Sequence, residues 1–350
     1  ALVLAMLAGL TNTEAKSLHP NYKLLHGEVH QFGDWLVGCD NQAECTMIGF
    51  PLTLATRKLD VAAKEMAIQV SLTGPADAAA VVEFVPFGID YGNNGAAASN
   101  GPFVLNVEYD VAAISAPHGF SRHQLLQMEA DAVIKHLSGD RQLVGKALSN
   151  GKAAVRFPSA EFERAYNAMQ RRRGELLKEI AEKTIEELPG ELPDGRSMQP
   201  PEKHRRLSAM PHIVSGFAPI LAHNLCRNSF TQDMRLYRFT NGTDLWSYAC
   251  EDGYPSRTYW HMASKAGKSS VPLSLPEPRE REVDAGSLGL ENAVFDFDFG
   301  ILREYKFHNG HEDCGIFRAW GYTDSGWQLL ERREMPLCKG LSPNDWIRTH

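Results

Sequence analysis

The chain should fold mainly as β-sheet, an α+β protein with a β-rich N-terminal domain carrying two helices and an all-β C-terminal domain, a sandwich or partly open barrel. Three observations predict this. Short segments with an apolar residue at every second position recur along the chain, the period of a strand with one face on a core. Helical apolar spacing marks the stretches from Ser121 and from Ser159. The six cysteines fall as three sequential pairs, the pattern of a disulfide-braced exported protein.

The elements follow in order. Trp35, Val37 and Cys39 alternate onto one strand face, with Asp34 and Gly38 opposite; Cys45, Met47 and Phe50 read as the return strand. Asp40 and Asn41 favour the turn between them. Strands are expected at Val81–Phe87 and Phe103–Tyr109, with a Gly/Asn/Ala-rich loop at 91–101. Ser121 should cap a helix that packs Leu125, Met128, Val133 and Leu137. A strand at Ala153–Phe157 precedes a second helix running from Ser159 through Met169. Residues 28–172 thus form the N-terminal domain, and 173–209 reads as a charged helix followed by a Pro-rich linker. In that region Leu176, Leu177 and Ile180 mark a narrow apolar stripe, and Arg171–Arg173 reads as a solvated face.

From 210 to 350 short strands dominate. Arg235–Thr240, Leu245–Cys250 and Thr258–Ala263 are strand candidates, and 264–289 reads as a long polar connection. Phe295, Phe297 and Phe299 alternate with Asp296 and Asp298, which predicts one strand with a buried aromatic face. Ile316–Trp320 and Trp327–Arg332 should form a hairpin around the 321–326 loop.

A length of 350 residues suits two domains, and 43% hydrophobic with 23% charged residues is the balance of a water-soluble globular protein. A net charge of −7 gives no electrostatic case for nucleic acid or an anionic membrane. Residues 1–15 read as a partial signal peptide: the apolar run from Ala1 to Leu10 is too short to span a bilayer, and Thr13 and Ala15 suit a cut before Lys16. No later stretch is apolar enough to be a transmembrane segment. Cys39 and Cys45 close a small loop, while Cys226 and Cys250, like Cys314 and Cys338, lie 24 positions apart. Pairing within each couple suits adjacent strands; other connectivities stay open.

The string from Phe32 to Asn41, Phe-Gly-Asp-Trp-Leu-Val-Gly-Cys-Asp-Asn, with Cys45 beyond it, resembles the opening of a bacterial exported family called domain of unknown function 1176. It is also similar to the start of the invasion-associated locus B family, β-rich periplasmic proteins. At the far end, Leu290–Phe299, Gly310-His311-Glu312-Asp313-Cys314-Gly315 and Pro336-Leu337-Cys338-Lys339-Gly340 follow the first family's order. Two places depart from it: Glu251-Asp252-Gly253-Tyr254-Pro255 after Cys250, and the absence of a proline before Trp346. The resemblance implies a periplasmic or secreted protein and supplies no catalytic residue.

Several constellations carry possible chemistry. His308, His311 and Cys314, with Glu312 and Asp313 between, have a spacing that could hold zinc or copper. A cysteine locked in a disulfide is no thiolate ligand, so the cysteines read as staples and no metal or other cofactor is expected. His26 and His30 would share a face only in a helix. Asp296 and Asp298 could pair for hydrolysis, or simply face solvent opposite the phenylalanines. Trp246, Tyr254 and Trp260, with His311 and Asp313, are candidate binding residues, although most aromatics in such clusters serve the core. Nucleophile-elbow, phosphate-loop and dinucleotide motifs are absent from the sequence. The favoured reading is a non-enzymatic periplasmic protein that binds an envelope protein or a cell-wall component. A metal-assisted hydrolase is the alternative, as is a lysozyme-inhibitor-like protein presenting the loop Gly310–Gly315.

Overall fold

Turn chemistry and apolar alternation build a layered β protein. A computed structural model describes residues 27–51, 66–86, 103–106, 114–115, 122–147, 153–182, 203–207, 234–252, 257–265, 271–273, 275–276, 289–310, 312–323 and 326–350. The expected leader, the 91–101 loop and Val107–Tyr109 lie outside them. The first strands are β1 (His30–Phe32), β2 (Trp35–Cys39), β3 (Cys45–Gly49), β4 (Met66–Leu72) and β5 (Val81–Pro86). After β6 (Phe103–Asn106) and β7 (Ile114–Ser115) comes β8 (His123–Gln124), which completes an antiparallel sheet in the order β1-β2-β3-β4-β5-β8. Helix α1 (Gln127–Ser138), β9 (Leu143–Ala147), β10 (Ala153–Phe157) and helix α2 (Phe162–Glu182) follow. A second sheet runs β10-β9-β6-β7.

The later strands make two further sheets. One joins β11 (Lys203–Leu207), β12 (Met234–Arg238), β13 (Thr243–Asp252), β14 (Arg257–Lys265) and β15 (Val271–Pro272), with β16 (Gly289–Glu291) also paired to β14. Two of these strands fall in stretches with no sequence expectation of one, β11 inside 173–209 and β15 inside 264–289. The last sheet runs β17 (Val294–Asp296), β18 (Ile301–Phe307), β19 (Gly315–Thr323), β20 (Gly326–Met335) and β21 (Ile347–Arg348). The mainly β class with two helices holds among the described residues, and no closed barrel is formed.

The order of packing explains why the first sheet is buried on both sides. Val37, Met47, Val70 and Val82 point toward Val133, Leu137, Phe162 and Met169 of the two helices. Leu36, Ile48, Ala67 and Val85, on the alternate positions of the same strands, point the other way, onto Phe317, Ala319, Trp346 and Ile347 of the last sheet and its C-terminal end. That last sheet in turn presents Leu302, Trp320 and Tyr322 to Tyr237, Phe239 and Leu245 of the β12–β13 pair. The layers therefore run helices, sheet, sheet, sheet. Burial of this kind is worth about 25 cal/mol for each Å² of apolar surface removed from water.

Glycines allow two of the close approaches. Gly49 stands opposite Trp35 in the β2–β3 ladder, and an added Cβ would lie 2.3 Å from the indole. The ring takes that space and meets Phe162 edge-on at 4.9 Å between centroids. At Gly38 the missing side chain makes room for Ile347 of β21. A polar contact crosses the same seam: Arg332 donates to Gly27 O at 2.7 Å, while its bond to Thr349 Oγ1 at 2.7 Å ties β20 to the residue after β21.

Four local expectations are corrected. The aromatic strand stops at Asp296, because Asp296 Oδ1 accepts from Phe299 N and Gly300, at a φ of +66°, turns the chain into β18. Phe295 is buried, Phe297 partly so, and Phe299 is 59% exposed. Helix α1 begins at Gln127 rather than near Ser121, since residues 123–124 pair with β5 and Glu129 reaches back to Leu126 N. Met128 consequently sits in the first turn, 81% exposed. Helix α2 runs on to Glu182, in keeping with the charged helix expected after residue 172, but it buries Arg172 and Arg173, which read as solvated.

Candidate functional site

Helix α2 explains its own buried arginines. Arg173 lies four residues after Met169 and three before Leu176, so it falls on the apolar stripe that faces the first sheet. There it meets the β4–β5 turn. Gly74, at a φ of +77°, lets successive carbonyls converge. Arg173 Nη2 donates to Thr73 O at 3.3 Å, Gly74 O at 2.9 Å and Pro75 O at 2.6 Å, and Nη1 donates to Ala76 O at 3.3 Å. Its Nε is buried with no hydrogen-bond partner, and no carboxylate among the described residues pairs with it. The neighbouring Arg172 differs, being tied to Glu175 at 3.2 Å and Glu179 at 3.3 Å along the same helix.

Beside this clamp, α1, α2 and residues 76–80 border a half-open cleft of about 500 Å³. Leu72, Ala80, Ile134 and Leu177 give it an apolar lining; Asp131, Lys135, Tyr166, Gln170 and Arg173 supply polar groups. Tyr166 lies flat against Phe162, 5.8 Å between centroids. Burial pushes its phenol pKa above the ordinary value, against the hydrogen bond from Gln170, so at neutral pH it is a hydroxyl able to donate. Asp131 Oδ1 accepts from Gln127 Nε2 at 2.8 Å. Asp131 and Lys135, one turn apart on α1, line the cleft together without an ion pair between them. Such a volume with a few convergent polar groups is what ligand sites present.

The sequence-selected residues lie elsewhere. Cys39–Cys45 and Cys314–Cys338 are disulfides, with Cα atoms 4.0 Å and 4.7 Å apart. Cys226, Tyr254, His311 and His26 are outside the described residues, as are the side chains of Cys250 and Trp260. His308 is exposed, and its backbone N donates to Cys314 O. Asp313 is a turn organiser: Oδ1 accepts from Asn309 Nδ2 at 2.8 Å and Oδ2 from Gly340 N at 2.7 Å. With Cys314 and Cys338 it forms a close trio, but both sulfurs are spent in the disulfide. Trp246 is buried and donates to Ser264 Oγ at 3.1 Å. His30 sits buried in a strand rather than a helix. Asp296 pairs with Arg303 at 2.8 Å, and its pKa is lowered: against the burial that raises it, Arg303 and the backbone donors prevail.

A second polar cluster lies on the seam between the first and last sheets. Asp40, inside the small disulfide loop and fully buried, accepts at Oδ1 from the backbone N of Gln42 and of Glu44, both at 2.9 Å. Arg348 Nε lies 3.5 Å from its other oxygen. Burial nonetheless raises the Asp40 pKa, outweighing those donors, Arg348 and His350. His350 is pushed down by burial, although Leu329 O accepts from its ring at 3.1 Å. This cluster braces the fold.

The cleft residues were missed because nothing in their order signals a site. The one legible trace is Arg173, a cation placed on the apolar stripe of an amphipathic helix.

Residues 196–350 match the family described as protein of unknown function (DUF1176). No curated protein and no solved structure matches the chain.

Proposed function

We propose that this chain is an exported, non-enzymatic binding protein that holds a small polar ligand in the cleft between α1, α2 and residues 76–80. The observation that carries the reading is the clamp of Arg173 on the 73–76 carbonyls, which fixes one wall of the cleft while leaving a buried guanidinium without an anionic partner. The carbonyls satisfy its terminal nitrogens but carry no formal charge, so an anionic group on a ligand adds a charge–charge attraction in a site of low dielectric. Disulfides at Cys39–Cys45 and Cys314–Cys338 support folding and residence in an oxidising compartment, the periplasm or the exterior. The partner is then an envelope or cell-wall component small enough, or with an end small enough, to enter the cleft. The hydrolase alternative gains no support from Asp313, whose oxygens are both engaged, nor from Asp296, which is paired.

The test is a thermal-shift screen of the full chain against amino acids, short peptides, sugars and nucleotides, repeated with Tyr166→Ala. At least one class should raise the unfolding midpoint of the wild type and leave the variant unmoved. A flat response across all four classes overturns the reading. Conversion of any bound compound, seen as a product mass, overturns its non-enzymatic part.

A further inference from the structure

Three formal charges line this cleft: Asp131, Lys135 and Arg173. Asp131 and Lys135 are open to a ligand, and Arg173 is a charge without a counter-ion among the described residues. Asp131 has one carboxylate oxygen on Gln127, which leaves the other for a ligand. Lys135 lies one helical turn from Asp131, yet the two are not joined, and Lys135 has no ion-pair partner among the described residues. Arg173 is 4% exposed, its terminal nitrogens are committed to carbonyls, and its charge faces no carboxylate. An alanine-rich wall, Ala76, Ala78, Ala79 and Ala80, also lines the cleft, and its methyl groups exclude little volume.

One anion and two cations spaced along a narrow cleft suit a ligand that carries both signs. Resting on the reading of this cleft as the binding site, we infer that its ligand is a short peptide with free ends, the ammonium on Asp131 and the terminal carboxylate on Lys135 beside Arg173. The span agrees. Side chains one turn apart on a helix stand about 5–6 Å from each other. Two extended residues cover about 7 Å, enough to place one end on each group. Small side chains of the peptide rest on the alanine wall, and the Tyr166 hydroxyl donates to a peptide carbonyl.

Isothermal titration of the full chain tests this with L-alanyl-L-alanine, its N-acetyl form, its C-terminal amide, L-alanine and maltose as probes. The free dipeptide should bind, and capping either end should weaken it about tenfold or more, the loss of one charge-assisted contact. Asp131→Asn should erase the discrimination against the N-acetyl form, and Lys135→Met that against the amide. Both side chains are exposed, so the variants should fold, which far-UV circular dichroism checks. Equal affinity for free and capped dipeptides overturns the inference, as does equal affinity for L-alanine, which removes the two-residue span. Binding of maltose alone also overturns it while leaving the cleft as a ligand site. Silence from every probe here and in the broader screen sinks both readings.

Discussion

Replacing Gly38 by alanine puts a methyl carbon 2.6 Å from Ile347 Cγ2, closer than such atoms approach in folded proteins. Ile347 is fully buried, so it has no room to retreat, and Val29 Cγ2 already stands 3.4 Å from the new carbon on another side. Overpacking of this kind costs about 1–3 kcal/mol. Ile347→Ala alone removes the clashing carbon together with its packing, a loss of about 2–5 kcal/mol. In the double variant the alanine at 38 meets a vacated site, and the first penalty should largely vanish. The cycle should therefore show the two substitutions coupled by about 0.5–3 kcal/mol, with the double variant more stable than the sum of the singles predicts. Urea unfolding followed by tryptophan fluorescence measures all four proteins. Additivity within about 0.5 kcal/mol would refute the packing of β21 on β2, and with it the stacking of the last sheet on the first.

Two further outcomes follow from the buried groups. The folded pKa of Asp40 is raised, so the fold favours its protonated form; that contribution is complete below about pH 4 and is lost as pH rises through the raised value. Asp40→Asn should thus gain stability relative to wild type as pH increases, read from urea midpoints, and a gain that shrinks with rising pH would contradict the assignment. Reduction should also be ordered. Cys338 is exposed whereas Cys39 and Cys45 are buried, so mild reductant should open Cys314–Cys338 in the folded protein and leave Cys39–Cys45 intact until unfolding. Peptide mapping after timed alkylation gives the order, and simultaneous loss of both bonds is the contrary result. Removing the bonds by substitution should cost about 2 kcal/mol for the smaller loop and about 3.5 kcal/mol for the larger.

Much of the local structure is legible in the residue order. The two-residue alternation at Trp35, Val37 and Cys39, the short Cys39–Cys45 turn, and the paired segments around 321–326 appear as β2, the β2–β3 hairpin and the β19–β20 hairpin. These features depend on contacts between near neighbours, and near neighbours are written side by side. The candidate cleft is different. Asp131 and Lys135 come from α1, Tyr166 and Arg173 from α2, and the alanine wall from the segment before β5. No spacing rule joins three such segments.

The sequence by itself determined a mainly β chain with two helices, the positions of about half of the described strands, and cysteines in local couples. Only the tertiary structure decided what covers the strands. Leu36 and Ile48 look like the second face of an ordinary strand, but the last sheet stacks on them, so both faces of the first sheet are dry. Arg173 reads as one charge in a basic run, yet its burial is set by the turn at 73–76, about a hundred residues earlier in the chain, whose carbonyls solvate it. Phe299 carries the aromatic alternation and is nevertheless exposed, because a hydrogen bond from its backbone to Asp296 turns the chain first. Periodicity reports the direction of a side chain relative to its own strand or helix. Whether water or another layer lies in that direction depends on contacts between distant segments, which no local pattern encodes.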